Sequence, residues 1–444
     1  MPDAMSYEQC LDYLTQFNTR VTDRRNGAHL KTMRELLALF GLDTAGYQII
    51  QITGSCGKGS TAHFLSSMLA AHGIHHGLFT GPHLDTYEER FAYNGETIPA
   101  SLFISFIEEI KARLETEYDA EKSVGHMHVM VLIALMFFQK KGAGLLVFEN
   151  GVGGESDPSN VFDPFISVIT EITIDHSHLL GNTIREIVRN KAAIIKKSTA
   201  YAVCGMTEPQ ARIELQHAEN ERISTRFLYW NREYESTIRE VTKAGSRFDY
   251  KGFSLSLDGV KINMPGRHQV QNASTALCVM EILRREGFGV EEEAVRKGLS
   301  SMRFSGRMEW REVGGRKILL DGAHNPLQLQ ALANYVKESG IERKRILVSF
   351  TSNRDMEETA RLLAEMNAPF YAAPSPFKER RVGREDVERN FHKYGVGCTY
   401  CDTVEEAFRQ AMSGLQEDEV LIVTGSLYLV GFLNSGRMEA LYEI

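Results

Sequence analysis

A lysine within a glycine-rich loop is the feature of this sequence that most clearly carries chemistry. The loop contains, in order, Gly54, Gly57, Lys58, Gly59, Ser60 and Thr61. It follows a β-rich apolar run at 47–53 and precedes a helical pattern at 60–72. In such a loop the backbone N–H groups surround an anion, the helix N-terminus adds its dipole, and the lysine reaches the terminal phosphates. We therefore expect a nucleotide triphosphate site in which Ser60 or Thr61 meets a magnesium ion. The spacing is shorter than the usual pattern, and the alternative is a glycine turn with a solvated lysine.

Two further apolar runs end in residues that can hold a metal ion. Glu149 ends the run at 144–149, and His176 follows the run at 166–175. The carboxyl ends of parallel strands meet at one edge of a sheet, so both side chains are expected at the edge that carries Lys58. An acid at this position can hold the magnesium ion of a nucleotide. Taken singly, Glu149 can also be a turn cap, and His176 a core histidine.

Lys191 lies 15 residues after His176, on a helical pattern at 183–196. The residues alone predict a surface lysine on an amphipathic helix.

The elements that must position these residues alternate between strand and helix. Further strand patterns lie at 76–80, 144–149 and 166–175, and further helical patterns at 101–115 and 126–140. This alternation is typical of βαβ units and a parallel sheet. Residues 226–264 alternate with a period of two, which predicts antiparallel strands, and a second α/β series follows residue 300. The predicted fold class is α/β. It combines a P-loop-containing parallel-sheet ATPase domain (1–300), which includes a small antiparallel subregion, with a second Rossmann-like α/β domain (301–444).

Composition excludes several classes of function. The 444 residues are 43% hydrophobic and 24% charged, with a net charge of −8, which argues against a general binder of nucleic acid or of anionic membranes. Six scattered cysteines form no disulfide framework, and the Cys398–Cys401 pair stands alone. The N-terminus does not resemble a signal peptide, and no apolar stretch is long enough to span a membrane. We expect a cytoplasmic monomer whose partners are small molecules.

Several separated motifs together resemble the folylpolyglutamate synthase and dihydrofolate synthase family of Mur-type ligases. The resemblance covers nearly the whole chain, in the family's order. The motifs are "ITGSCGKGSTAHFLSSML", "GLFTGPHLDTYEERFAYNGETI", "ENGVGGESDPSNVF", "IDHSHLLGNTIREIVRNKAAIIK", "PGRHQVQNASTAL", "FSGRMEW", "LLDGAHNP" and "VTGSLYLV". One such motif would be weak support, whereas eight in order are strong.

The resemblance implies an ATP-dependent amide ligase with two magnesium ions. A carboxylate becomes an acyl phosphate, which the amine of an amino acid then attacks. By resemblance Lys58 holds the β- and γ-phosphates, and Ser60, Glu149 and His176 serve the metal ions. Lys191 matches a lysine that becomes carbamylated, so that an anion replaces the ammonium near the metal. The catalytic set so implied is Lys58, His176, Lys191 and His324.

The second half of the chain contributes further positions by resemblance. Asn272, Arg307 and Asp321 are expected to contact the nucleotide, and His324 and Ser426 to face the substrates. The resemblance also implies that the two domains close over the nucleotide.

The sequence departs from the family pattern at several positions, of which Gly81, Glu155 and Pro158 lie near the expected acid site. Cys56 replaces an asparagine, Gly81 stands where the family has a magnesium-binding serine, and Glu155 and Pro158 are unusual. The resemblance as a whole nevertheless implies a ligase that adds glutamate to a folate-type acid. The alternatives are a paralogous ligase acting on a non-folate acid and a non-catalytic nucleotide-binding switch.

Overall fold

The structure, a computed structural model, describes residues 5–18, 27–118, 124–352, 356–434 and 436–442. The chain forms two compact units. The first contains residues 1–236, 250–258 and 271–300, and the second contains 237–249, 259–270 and 301–444. Two short segments of the second unit thus fall within 1–300, and the assignment of functional domains at 1–300 and 301–444 stays a prediction.

An eight-stranded sheet forms the centre of the first unit, in the order β4-β3-β2-β5-β1-β6-β7-β8. The strands are β1 (Gln48–Thr53), β2 (His76–Phe79), β3 (Phe91–Tyr93), β4 (Glu96–Thr97), β5 (Leu145–Glu149), β6 (Ile166–Ile169), β7 (Tyr201–Cys204) and β8 (Arg226–Tyr229). The β2–β3 and β3–β4 pairs at one edge are antiparallel, and the remaining pairs are parallel. Strand β1 therefore lies between β5 and β6, which are the two strands expected to bring an acid and a histidine to its end.

Helices accompany this sheet and cover its apolar strands. They are α1 (Tyr7–Asn18), α2 (Ala28–Phe40), α3 (Lys58–Ala71), α4 (Ala100–Glu117), α5 (His126–Lys141), α6 (Ser177–Leu180), α7 (Ile184–Ala192), α8 (Pro209–Asn220), α9 (Arg267–Arg285) and α10 (Glu292–Ser301). Helix α5 is apolar on nearly all sides and is buried from His128 to Phe138. None of the described helices is both long and apolar enough to cross a membrane.

The region with a two-residue period forms a separate small sheet, as predicted, but over a shorter range. Its strands, in the order β11-β10-β9, are β9 (Glu235–Thr242), β10 (Gly245–Lys251) and β11 (Ser256–Ile262). The short connections between them permit only antiparallel pairing. Residues 226–229 were wrongly included in this region. They form β8, which pairs parallel to β7 because α8 provides the crossover.

The second unit contains a six-stranded sheet in the order β12-β13-β17-β14-β15-β16. Its strands are β12 (Glu309–Val313), β13 (Arg316–Leu320), β14 (Lys344–Val348), β15 (Phe370–Ala372), β16 (Cys398–Tyr400) and β17 (Val420–Thr424). Its helices are α11 (Pro326–Glu338), α12 (Met356–Ala364), α13 (Arg384–Lys393), α14 (Val404–Met412), α15 (Leu427–Asn434) and α16 (Arg437–Tyr442). Only the β12–β13 pair is antiparallel. The predicted α/β fold class is confirmed in both units.

Candidate functional site

The phosphate-type loop between β1 and α3 depends on two glycines. Gly54 has a φ of 154° and Gly57 a φ of 86°, conformations that a side chain disfavours. A Cβ at Gly54 would collide with the Thr170 hydroxyl, and one at Gly57 with the Asn272 amide. The two glycines therefore permit both the turn and the close approach of its neighbours. Asn272, expected to contact a nucleotide, lies at this loop.

Lys58 and Glu149 meet at the loop, as the sequence predicted. The Lys58 Nζ donates a hydrogen bond to the Gly54 carbonyl oxygen at 3.1 Å and lies 3.9 Å from the Glu149 Oε1. Only 17% of the Lys58 side chain and 5% of the Glu149 side chain are exposed. Glu149 reaches this point because β5 pairs directly with β1, with Ile52 opposite Glu149. The interpretation of Lys58 as a solvated lysine is therefore wrong.

Lys191 is buried, although the helical pattern alone predicted a surface position. It is 3% exposed, and its Nζ donates to the same Gly54 carbonyl oxygen at 2.9 Å. Burial and the nearby charge of Lys58 lower the pKa of Lys191 to about 7, against the opposing effect of Asp175. A large fraction of the Lys191 amine is therefore neutral near pH 7. A neutral amine is a nucleophile, which an ammonium is not.

The run before His176 does not form one long strand, so this prediction was wrong. Strand β6 ends at Ile169, because the next residues turn across the phosphate-type loop. The Thr170 Oγ1 donates to the Cys56 carbonyl at 2.7 Å, and the Glu171 carbonyl accepts from the Ser55 N–H at 2.8 Å. These bonds replace the continuation of the ladder and tie the β6 end to the loop.

His176 is the residue directly before the short helix α6 and has a left-handed conformation, with a φ of 52°. Its Nε2 lies 3.9 Å from the Asp175 Oδ1. Asp175 also acts on Lys191, whose pKa it raises. His176 is thus linked to the buried lysine through Asp175, a residue absent from the predicted site. The acid directly before the histidine was the available signal.

The donor groups at the loop suit magnesium only in combination with phosphate oxygens. Among the described residues, no group of three or more His, Cys, Asp or Glu side chains could by itself hold a metal ion. Mg²⁺ usually needs only one or two carboxylates and takes its other ligands from water and substrate phosphates. The Thr61 Oγ1, fully buried at the start of α3, has no hydrogen-bond partner within the described part of the chain. Glu149 and this hydroxyl are the fitting oxygen donors.

In the second unit, the expected substrate-facing residues lie at the carboxyl ends of neighbouring strands. Strands β13 and β17 pair in parallel, and the Gly425 N–H donates to the Ala323 carbonyl at 2.9 Å. His324 lies in the loop after β13, where its Nδ1 is 2.7 Å from the Gly322 carbonyl oxygen. Ser426 follows β17 and is 2% exposed. The structure therefore brings the loops of His324 and Ser426 together.

Asp321 links two backbone segments at this end of the sheet through hydrogen bonds. Its two carboxylate oxygens accept hydrogen bonds from the Met308 and Ala323 N–H groups, each at 2.9 Å. Burial raises the pKa of Asp321, and the positive charge of Arg307 opposes this rise. Asp321 and Arg307 thus lie at one end of the second sheet, and their contact with a nucleotide stays a prediction.

Phe91 and Tyr87, two aromatic residues that follow the Gly81 loop, have different environments. Phe91 is fully buried and packs on Phe79 with ring centroids 5.6 Å apart, so it belongs to the core. Tyr87 is half-buried, and its ring lies 4.2 Å from that of His83 and 5.9 Å from that of His126. Of the two, Tyr87 is the partly exposed side chain.

Comparison with known families and structures adds to this geometry. The family model for the Mur ligase middle domain matches residues 52–280, and that for the Mur ligase glutamate ligase domain matches residues 306–427. The chain is 29% identical to the dihydrofolate synthase/folylpolyglutamate synthase of Bacillus subtilis over 411 residues, which cover 90% of this chain and 93% of the relative.

Two solved structures are similar along nearly their whole length. The folylpolyglutamate synthase of Thermotoga maritima is 26% identical, with a TM-score of 0.80 and 99% of both chains covered. Escherichia coli FolC in complex with ADP, without folate substrate, is 25% identical, with a TM-score of 0.81 and 98% of both chains covered.

Proposed function

The chain belongs to the Mur ligase family, and we propose that it uses ATP to join L-glutamate to a folate-type carboxylic acid through an acyl phosphate. It is an ATP-dependent acid–amino-acid ligase of the folylpolyglutamate and dihydrofolate synthase type. Relatives with these names match it over most of their length, and a similar solved structure holds ADP. The observation that carries the proposal is the convergence of Lys58, Glu149 and Lys191 on the loop at Gly54.

Activation of the acid is the step that requires this concentration of charge. An oxygen of the substrate carboxylate attacks the γ-phosphorus, the bond from that phosphorus to the β–γ bridging oxygen breaks, and ADP leaves. The Lys58 ammonium and the N–H groups at the start of α3 neutralise the phosphate charges as the two anions approach. This is the reason for a buried cation and a helix N-terminus at the same loop.

Amide formation follows at the activated carbon. The neutral amine nitrogen of glutamate attacks the acyl carbon, inorganic phosphate leaves with its bridging oxygen, and the nitrogen loses a proton. We propose that His324 and Ser426 contact the incoming amino acid, since their loops lie together at one end of the second sheet. Asn272, Arg307 and Asp321 are proposed to contact the nucleotide.

A carbamate on Lys191 is part of the proposal. The neutral Nζ would attack carbon dioxide, forming an N–C bond and releasing a proton, so that an anion replaces the ammonium. The lowered pKa of Lys191 supports this, because the attacking form is available near pH 7. Two magnesium ions, held by Glu149, His176, the carbamate and phosphate oxygens, would neutralise the transferring phosphoryl group when bound.

A Mur-type ligase that acts on a non-folate acid is the second candidate. The observation in its favour is Gly81, which lacks a side chain at the point where its N–H contacts Glu149 at 3.1 Å. The cytoplasmic location and the monomeric state stay predictions of the sequence.

Phosphate release distinguishes these candidates. The protein is supplied with ATP, magnesium, glutamate and, in turn, dihydropteroate, tetrahydrofolate or unrelated carboxylic acids, and the ligation product is weighed by mass spectrometry. Turnover that requires a pterin acid supports the proposal. Turnover with only a non-pterin acid would transfer the assignment to the second candidate, and the absence of any acid-dependent turnover would leave a nucleotide-binding switch.

A further inference from the structure

The loop that follows β2 lies against Glu149 and places a buried arginine beside Gly81. The Gly81 N–H donates to the Glu149 Oε2 at 3.1 Å, while the other oxygen of this carboxylate lies 3.9 Å from the Lys58 Nζ. Since β5 lies between β1 and β2, Glu149 separates the Gly81 loop from the phosphate-type loop. A side chain beside Gly81 is therefore separated by one strand, β5, from the phosphate-type loop.

The side chain beside Gly81 is that of Arg90. Its carbonyl oxygen accepts a hydrogen bond from the Thr80 N–H at 3.0 Å, which fixes its backbone at the end of β2. Its side chain turns back toward Gly81, and its Nη1 lies 2.7 Å from the position that a Cβ on Gly81 would occupy. Arg90 is only 9% exposed. The missing side chain at Gly81 is what leaves room for the guanidinium beside the loop.

The contacts of the Arg90 side chain include an imidazole and an aromatic ring. Its Nε donates to the His83 Nδ1 at 2.8 Å, and its guanidinium carbon lies 5.5 Å above the Tyr87 ring. Burial, and then the charge of Arg90, lower the pKa values of His83 and His126 to about 3, so both imidazoles stay neutral. Arg90 therefore supplies the positive charge of this cluster, which we define as His83, Tyr87, Arg90 and His126.

We propose that Arg90 binds the reacting carboxylate of the acid substrate, and that the aromatic cluster contacts the part of the acid next to it. This rests on the proposed ligase function. The phosphates have their own cation in Lys58, whereas the acid must approach the γ-phosphorus from outside the nucleotide. A guanidinium binds a carboxylate through two parallel hydrogen bonds, which orients its oxygens as well as attracting it. A buried cation holds an anion more strongly than an exposed one.

A binding comparison with two ligands tests this role. Dihydropteroate and its carboxamide analogue, in which the reacting carboxylate is neutral, are titrated into wild-type protein and into Arg90→Gln. The substitution is expected to weaken dihydropteroate binding about 10- to 100-fold and to leave carboxamide binding unchanged within about twofold. Arg90→Lys should recover part of the loss. Arg113→Gln is the matched control, because Arg113 also stacks on an aromatic ring in the same unit, 5.1 Å from that of Phe40.

Gly81→Ala provides an independent variant, since its Cβ would displace the Arg90 guanidinium. It should weaken dihydropteroate binding, and the double variant should bind no more weakly than Arg90→Gln alone. ADP binding by each variant checks the fold. Equal losses for the acid and the carboxamide, or unchanged acid binding in folded Arg90→Gln, would overturn the role of Arg90 while wild-type turnover still supports the ligase function. If the wild type turns over only another acid, the folate assignment fails, and that acid and its carboxamide are compared in the same way.

Discussion

Lys58 and Lys191 direct their side-chain nitrogens to one carbonyl oxygen, that of Gly54, at 3.1 and 2.9 Å. The two lysines are 133 positions apart in the sequence, and they reach this oxygen from the start of α3 and from the last turn of α7. Two adjacent cations repel each other, and burial adds to the cost of charging Lys191. Burial and the neighbouring lysine therefore favour the neutral form of Lys191.

Lys58→Ala should abolish ligation. The variant removes the cation that faces the transferring phosphoryl group, and the loss in rate should be at least about 100-fold. Acid-dependent phosphate release measures it, with circular dichroism as the check on folding. Lys31→Ala serves as a control because Lys31 is exposed on α2. Near-normal ligation by a correctly folded Lys58→Ala variant would contradict the assignment of this loop as the nucleotide site.

Lys191 should carry a carbamate. Protein equilibrated with ¹³C-bicarbonate is expected to show one carbamate carbon signal in its NMR spectrum that Lys191→Ala lacks. The variant should also be inactive and partly rescued by short-chain carboxylic acids, which restore an anion in the vacated space. A spectrum identical in both proteins, or full activity of the variant without added acid, would contradict the carbamate.

Gly57→Ala should weaken nucleotide binding far more than it destabilises the fold. The residue has a φ of 86°, and the added Cβ would collide with the Asn272 amide. We expect ADP affinity to fall at least about tenfold, since each misplaced N–H group costs about 1 kcal/mol or more. Gly142→Ala is the matched control. Gly142 also has a positive φ, 66°, but the space around it is open. Equal ADP affinity in the two variants would show that the Gly57 turn does not shape the site.

The sequence was sufficient to predict the strands next to the loop and the position of Glu149, because apolar runs of strand length end in polar residues there. It was insufficient for Lys191. Helical periodicity places a residue on a face of a helix, but only the packing of α7 decides that this face is buried. The predicted length of β6 was too great, because the Thr170 hydroxyl donates to the loop and the Glu171 carbonyl accepts from it, and these bonds replace the strand pairing. Arg90 could not have been found from spacing, since its approach to Gly81 depends on how the loop folds back.

The histidine at the start of β2 should make the first unit sensitive to acid. His76 is fully buried, with hydrogen bonds to the Ser66 hydroxyl and the Ile74 carbonyl. Burial lowers its pKa from the ordinary histidine value of 6.5 to about 4. The unfolded chain therefore takes up this proton first, so the contribution of His76 to stability is full above about pH 6.5 and is lost as the pH falls toward 4.

Urea unfolding of wild-type protein and His76→Gln at pH 7.5 and pH 5 measures this effect. The variant should be less stable at pH 7.5, and the difference in the free energy of unfolding should shrink by about 2 kcal/mol at pH 5. His75→Gln, at an exposed neighbouring position, should keep the wild-type pH dependence. An unchanged difference between wild type and His76→Gln at the two pH values would exclude the neutral buried state of His76.

The acyl phosphate is the central claim, and transfer of an oxygen isotope tests it directly. Dihydropteroate labelled with ¹⁸O in both carboxylate oxygens is converted with unlabelled ATP, glutamate and water, and the released phosphate is analysed by mass spectrometry. Because the attacking carboxylate oxygen stays with phosphorus when the amine displaces phosphate, each phosphate should carry one ¹⁸O for every amide formed. Amide formation with unlabelled phosphate would contradict the acyl phosphate and the function built on it.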